Sequence, residues 1–211
     1  MIKGAIFDMD GTLVDNIKIH FQAFAEMRAR YNLTDDLSLD FCKLNGRGNE
    51  DIITALFPAW LIEQKGIDGL GREKEEVYRE IYAPTIRPTE GLVPFLERLR
   101  AEGLVCAVGS SGPRENVDFV LDKCGIRDYF EVCISGDMVT RCKPDPEIFL
   151  TAASRLGLQP EECVVFEDAV SGIAAAKAAG MKVVAVTTTS SAEELTAHVT
   201  PDLIVENFSF L

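Results

Sequence analysis

From Leu92 onward the chain alternates helix-like and strand-like stretches without interruption, and this alternation constrains the fold more than any other feature. Short apolar runs at 104–109, 132–135, 163–167, 182–187 and 203–206 are separated by helical patterns at 113–124, 146–156, 170–179 and 192–198. Leu92, Phe95, Leu96 and Leu99 share one face of a further helix that stops at Gly103. Strands linked in turn by helices pair in parallel, because a crossover returns each strand in the same direction. The pattern predicts an α/β fold, a Rossmann-like parallel sheet with helices on both faces. One more run, Ala5-Ile6-Phe7, stands apart near the amino terminus.

The ends of these runs carry the polar chemistry. Ala5-Ile6-Phe7 ends in Asp8-Met9-Asp10-Gly11-Thr12, two carboxylates two residues apart followed by a glycine that permits a sharp turn. On an extended backbone such residues point to the same side, so Asp8 could present an oxygen nucleophile while Asp10 reaches the same reacting centre. A calcium loop also begins with alternating acids. It needs its glycine at the sixth position and helices on both sides, whereas this glycine is fourth from Asp8 and follows a strand pattern. The run at 104–109 ends in Ser110-Ser111-Gly112, a hydroxyl with N–H groups suited to phosphate oxygens. After the run at 132–135 comes Lys143-Pro144-Asp145-Pro146, an ammonium ahead of a helix with Asp145 as N-cap and Pro146 at its first position. The run at 163–167 ends in Glu167-Asp168. Each has a bland alternative in a turn, a solvated charge or a helix cap. Together they would converge on the carboxyl edge of one sheet, where open α/β folds bind ligands.

Between Asp15 and Pro88 the strand pattern gives way to helical spacing: Phe21, Phe24, Met27 and Tyr31, then Ile52, Ile53, Leu56 and Phe57 behind Asn49, then Val77, Ile81 and Tyr82 after Arg72. The exit through Pro84, Pro88 and Gly91 and the entry around Asp15 read as two linkers. The expected organisation is a catalytic core of residues 1–15 and 88–211 with a helical cap of residues 16–87 inserted into it.

At 211 residues, 47% apolar and 26% charged, the chain has the composition of a soluble globule. A formal charge of −13 argues against nucleic acid or an anionic membrane as a partner. An anionic substrate would need a metal and local cations. The six cysteines are scattered with no Cys-x-x-Cys pair, and only His20 and His198 offer imidazoles. Reduced thiols in a cytoplasmic protein follow, and zinc does not. No signal peptide pattern precedes the first strand and no run approaches a membrane span. A monomer is expected.

Four ordered motifs, each at a strand end, resemble those of the haloacid dehalogenase superfamily, nearest its β-phosphoglucomutase-like branch of phosphosugar phosphatases and mutases. Asp8 to Asp15 is similar to the first motif, Ser110 to the second, Lys143 to the third and Glu167-Asp168-Ala169-Val170-Ser171-Gly172 to the fourth. The resemblance implies an aspartyl-phosphate mechanism with Mg²⁺ as cofactor. Asp8 would be the nucleophile and Asp10 the general acid and base. One Asp8 oxygen, the Asp10 main-chain carbonyl and Asp168 would hold the ion, with Glu167 beside them. Lys143 would balance charge, while Ser110 and the N–H groups near Met9, Asp10 and Ser111 hold the transferring oxygens.

The cap would exclude water and read the substrate beyond its phosphate. Asn45, Gly46 and Arg47, in a glycine-flanked segment from Leu44 to Asp51, are the candidates, and His20 resembles a cap histidine of the mutase branch. Arg47 could equally be solvated, and His20 a packed ring. The mutase pattern has a lysine before Gly46 and an arginine three positions after it, where Asn45 and Asn49 stand here. Hydrolysis of a small phosphorylated metabolite, a sugar phosphate foremost, therefore ranks ahead of β-phosphoglucomutase activity. A phospho-acceptor signalling domain would lack both Asp10 and the insertion, and a dehalogenase would need neither Asp10 nor Mg²⁺.

Overall fold

The computed structural model describes residues 1–33 and 49–211, and the side chains of all of these but 49–51. The described chain divides into two compact units, one of residues 1–15 and 86–211 and one of residues 16–85.

The larger unit is built on six parallel strands, β1 Gly4–Phe7, β2 Val105–Gly109, β3 Val132–Ile134, β4 Cys163–Glu167, β5 Lys182–Val186 and β6 Leu203–Val205. Their order is β3-β2-β1-β4-β5-β6. The chain leaves β1 for the β2 side and later returns to the β4 side, so the sheet reverses its winding at β1. That is where an open α/β sheet leaves a crevice at its carboxyl edge.

Successive strand residues face opposite sides, and the two sides carry different cores. Ile6, Ala107, Val165, Val183 and Ala185 pack with Ile148 and Phe149 and with Ile173, Ala175 and Ala176. On the other side Phe7 and its register partner Phe166 stack at 4.6 Å with planes 11° apart. Phe95 meets Phe166 edge-on at 5.2 Å, and Phe208 closes the group at 5.8 Å from Phe166. Such ring pairs are worth about 0.5–1.5 kcal/mol beyond their buried area. This one fixes the register of β1 against β4 one residue before Asp8 and Glu167.

The smaller unit is helical: α1 Ile17–Arg30, α2 Asn49–Leu56, α3 Ala59–Lys65 and α4 Ile67–Tyr82. Helix α4 starts five residues before Arg72 and takes in Gly69 and Gly71. Leu70, Lys74, Val77 and Tyr78 form one buried stripe, which offsets the glycine cost of about 1 kcal/mol each. Asn49, the residue behind which the apolar spacing begins, is itself the first helical residue of α2.

The helices of the larger unit are α5 Leu92–Ala101, α6 Arg114–Cys124, α7 Glu147–Arg155, α8 Val170–Ala178 and α9 Ala192–Thr196. Helix α7 begins one residue later than the sequence suggests. Pro146 takes the cap position, and Asp145 Oδ1 accepts the Glu147 N–H at 3.0 Å. The five described cysteines are free thiols. Burial pushes Cys106 up to about 12 and Cys124 and Cys163 up to about 11, which keeps them protonated and unreactive at neutral pH. No described helix is long and apolar enough to cross a membrane.

Asp202 ties three elements together. Its carboxylate accepts from Lys177 on α8, from Lys182 at 2.9 Å and from the Val183 N–H of β5 at 2.8 Å. Partial burial raises this carboxyl, but the two ammonium groups and the N–H outweigh it and hold the carboxyl well below its ordinary value. A depressed carboxyl stabilises the fold above its unfolded value of 3.8, and that contribution is lost as pH falls through the folded value. Asp202→Asn should therefore cost about 1 kcal/mol at pH 7, a figure reduced for partial exposure, and less than half of that near pH 2. Urea unfolding at both pH values checks the sign.

Candidate active site

The turn after β1 is held almost wholly by its own backbone. The Asp8 N–H extends the ladder to the Phe166 carbonyl at 2.9 Å, and the Met9 carbonyl then accepts from the N–H groups of Thr12, Leu13 and Val14. Gly11 sits at φ +85°, and a Cβ there would lie 2.0 Å from Asp168 Oδ2. Any side chain at this position would both strain the turn and evict the carboxylate of the fourth motif. Thr89 braces the turn from outside, donating its hydroxyl to the Thr12 carbonyl at 2.7 Å.

Lys143 reaches the same place from the segment before α7. Its Nζ lies 2.6 Å from Asp8 Oδ1 and 2.9 Å from Glu167 Oε1, with all three side chains buried. The ammonium also stands 4.7 Å from the centre of the Phe149 ring. Glu167 Oε2 accepts the Ala169 N–H at 2.7 Å. Gly172, on the first turn of α8, makes room for that carboxylate: a Cβ there would fall 1.6 Å from Glu167 Oε1. Asp168 Oδ1 takes a long bond, 3.4 Å, from the Thr12 hydroxyl.

Asp8, Glu167 and Asp168 thus offer carboxylate oxygens within 4.8 Å of one another, all from buried residues. Three carboxylates face one ammonium. Burial pushes Asp8 well above the usual carboxylate range; Lys143 opposes the shift, and Glu167, Asp168 and Asp10 add to it. Asp168 is pushed up to about 8 by burial and by Glu167. Burial works against the charge on Lys143, but Asp8 and Glu167 outweigh it and keep the ammonium protonated. A buried all-oxygen donor set with surplus negative charge fits a hard divalent cation such as Mg²⁺.

Ser110 follows β2, fully buried, its N–H bonded to the Ile134 carbonyl at 3.0 Å and its hydroxyl accepting the Gly112 N–H at 3.0 Å. A Cβ on Gly112 would lie 3.2 Å from Ser110 Oγ and 3.4 Å from Asp10 Oδ2, so these two oxygens flank Gly112. The Asp10 carboxylate therefore stands beside the Ser110 loop, near enough to Asp8 for its charge to act there. Met9 is buried under the turn, and Ser111 is exposed.

The sequence candidates separate into three sets. Asp8, Met9, Asp10, Ser110, Ser111, Lys143, Glu167 and Asp168 all belong to the larger unit, at the carboxyl edge of its sheet. His20 belongs to the helical unit: Lys74 Nζ is 2.9 Å from its Nδ1, and its ring stacks on Tyr78 at 4.0 Å. Asn45, Gly46 and Arg47 lie outside the described residues. Thr188 and Thr189, after β5, went unnoticed in the sequence. Thr188 donates its hydroxyl to the Gly11 carbonyl, and Thr189 Oγ1 lies against the same empty Cβ position of Gly11 as Asp168 Oδ2. The signal was available, because Thr187 to Ser191 are five hydroxyl residues directly after an apolar run.

The family model for haloacid dehalogenase-like hydrolases matches residues 2–180. The fructose-1-phosphate phosphatase YqaB of Escherichia coli K12 is 37% identical over 183 residues, which cover 86% of this chain and 94% of that protein. A phosphorylated carbohydrates phosphatase of Thermotoga maritima is 32% identical over 186 residues, 86% of this chain and 83% of the other. Among solved structures, a HAD hydrolase of family IA, variant 3, from Entamoeba histolytica superposes with a TM-score of 0.88 at 26% identity, covering 100% of this chain and 95% of that one. Family model, curated relatives and fold agree: the chain belongs to the haloacid dehalogenase-like hydrolases and is a phosphohydrolase among them.

Proposed function

We propose that the protein is a Mg²⁺-dependent phosphatase of small phosphate monoesters, sugar phosphates foremost, working through a phosphorylated Asp8. One observation carries the reading: Asp8 is a buried carboxylate gripped by Lys143 at 2.6 Å, at the end of the central strand, with Asp10 two residues on beside Ser110. A phosphate monoester resists attack because its charge repels nucleophiles, so the catalyst must neutralise that charge and aim the attacking oxygen. Asp8, Asp168, the Asp10 carbonyl and Glu167 would hold Mg²⁺, which would supply that neutralisation.

The chain's own residues do the rest. Lys143 fixes the rotamer of Asp8 and offsets the charge gathered around it. The Asp8 carboxylate forms a bond to phosphorus as the ester P–O bond breaks, and Asp10 gives its proton to the departing alkoxide. Asp10, now a carboxylate, takes a proton from water as that water attacks phosphorus and releases Asp8. Ser110, and the N–H groups beside Met9, Asp10 and Ser111, hold the non-bridging oxygens. The helical unit is assigned the choice among sugars, with His20, Asn45, Gly46 and Arg47 as its candidate contacts. A monomer in the cytoplasm completes the reading, in keeping with the free thiols of the described cysteines.

The names of two relatives, a fructose-1-phosphate phosphatase and a phosphorylated carbohydrates phosphatase, support hydrolysis over transfer between sugar hydroxyls. The test is a panel of hexose and pentose phosphates assayed for released phosphate with Mg²⁺, after EDTA, and after Mg²⁺ is restored. Release that disappears with EDTA and returns with Mg²⁺ is expected. β-Glucose 1-phosphate converted in the presence of glucose 1,6-bisphosphate without phosphate release would overturn the phosphatase reading.

A further inference from the structure

The loop after β5 touches the acidic site at two consecutive residues, and the four motifs account for neither. Thr188 anchors the loop by donating to the Gly11 carbonyl. The next residue, Thr189, has a buried hydroxyl that makes no well-formed hydrogen bond among the described residues, although it stands close enough to Asp168 to favour its carboxylate. A buried unsatisfied hydroxyl costs about 1–3 kcal/mol and calls for an explanation. Its surroundings supply one. Thr189 Oγ1 is 2.5 Å and Asp168 Oδ2 is 2.0 Å from the point where a Cβ of Gly11 would stand, so the two oxygens are neighbours across the gap that glycine leaves. Asp168's other oxygen already receives the Thr12 hydroxyl.

We propose that Thr189 is a positioning residue for Asp168: its hydroxyl closes onto Oδ2 ahead of the ion, completing with Thr12 on Oδ1 a two-sided grip that aims the carboxylate at the cation site. The inference rests on the reading of Asp168 as a metal ligand. Its physical basis is that a ligand carboxylate free to rotate must be ordered at the moment of binding, whereas one held by outer hydrogen bonds is ordered beforehand. The hydroxyl proton turns freely about its C–O bond, so closing the contact needs only a small adjustment of the loop. The loop is open to solvent on its other side, where Thr187 to Ala192, with Ile204 to Glu206, line a surface groove.

The variants are Thr189→Val, which keeps the shape and removes the hydroxyl, and Thr189→Ser, which keeps the hydroxyl and removes the methyl. Affinity for Mn²⁺ alone is read by electron paramagnetic resonance, and melting is followed on the metal-free proteins. Thr189→Val should bind Mn²⁺ about 10-fold more weakly than the parent, Thr189→Ser should recover most of that loss, and the metal-free Thr189→Val protein should melt no lower than the parent. Equal affinity in Thr189→Val and the parent would overturn the proposal. So would a serine variant as weak as the valine variant, since the methyl and not the hydroxyl would then matter. Should Thr189→Val not fold, Thr189→Ala takes its place in the same comparison with Thr189→Ser. Absence of Mn²⁺ binding by the parent would remove the underlying metal assignment instead, a result distinct from an unaffected Thr189 variant.

Discussion

Asp8→Asn should abolish turnover, lowering phosphate release by at least about 10⁴-fold, while leaving the fold intact. An amide oxygen is a poor nucleophile, and an amide cannot be an anionic metal ligand. The substitution is otherwise gentle. Asn keeps an oxygen that can accept from Lys143 in place of Asp8 Oδ1, now 2.6 Å from the ammonium. The stability change follows from the charges. Burial holds the Asp8 carboxyl well above its ordinary value; Lys143 pulls it down, and Glu167, Asp168 and Asp10 push it further up. A raised carboxyl contributes stability that is complete below its unfolded value and is lost as pH climbs through the folded one. For Asp168 that window runs from about 4 to about 8, and Asp8 shifts in the same direction. At pH 8 without metal, the Asp8→Asn protein should therefore melt no lower than the parent. Phosphate release, ¹⁹F NMR of the beryllium fluoride adduct and a thermal melt together make the check. Near-normal turnover, or a persisting adduct signal, would remove Asp8 from the nucleophile's role.

Gly172→Ala should do comparable damage from outside the set of charged residues. The added methyl would sit 1.6 Å from Glu167 Oε1 and 1.9 Å from its Cδ. One of the two must move, and Glu167 has little room: it is 1% exposed and tied to Lys143 and to the Ala169 N–H. Displacing its carboxylate breaks the Lys143 contact and leaves a buried charge short of a partner. The expected result is a loss of about 10- to 100-fold in metal affinity, a similar or larger loss in kcat, and about 1–3 kcal/mol of stability from overpacking. Adding Glu167→Asp to Gly172→Ala shortens the acid by one methylene and should recover part of the stability but little of the activity. Full activity in Gly172→Ala would mean that the position of Glu167 is immaterial.

The sheet was legible because its strands are short apolar runs, each followed by a polar cluster. β4 falls where the periodicity puts it, and β2, β3, β5 and β6 lie within a residue of their expected ends. The acidic site was legible for the same reason, since in-register parallel strands bring their carboxyl ends together. The helical unit was harder. Two glycines in α4 hid its first turn, and α3, with only Leu61 buried, has too short an apolar face to stand out. Gly172 at the head of an alanine-rich helix looks like any small residue of a helix packed on a sheet, yet its missing side chain makes space for a carboxylate, which no periodicity records. Thr189 was passed over because a run of hydroxyl residues looks like any loop until Gly11 and Asp168 are seen beside it.

The place of β1 in the sheet has a consequence for synthesis. Strand β1, made before the rest of its sheet, is central in it, between β2, which begins at Val105, and β4, which begins at Cys163. As the chain leaves the ribosome, Ala5 to Phe7 must wait, both edges open, until Val105–Gly109 has been made for one neighbour and Cys163–Glu167 for the other. Bringing such distant segments together is slow and leaves apolar backbone available to chaperones or to aggregation in the meantime. A nascent chain halted before Cys163 would hold Asp8 on a half-built scaffold, so phosphate release, if Asp8 is its nucleophile, reports that β4 has been made.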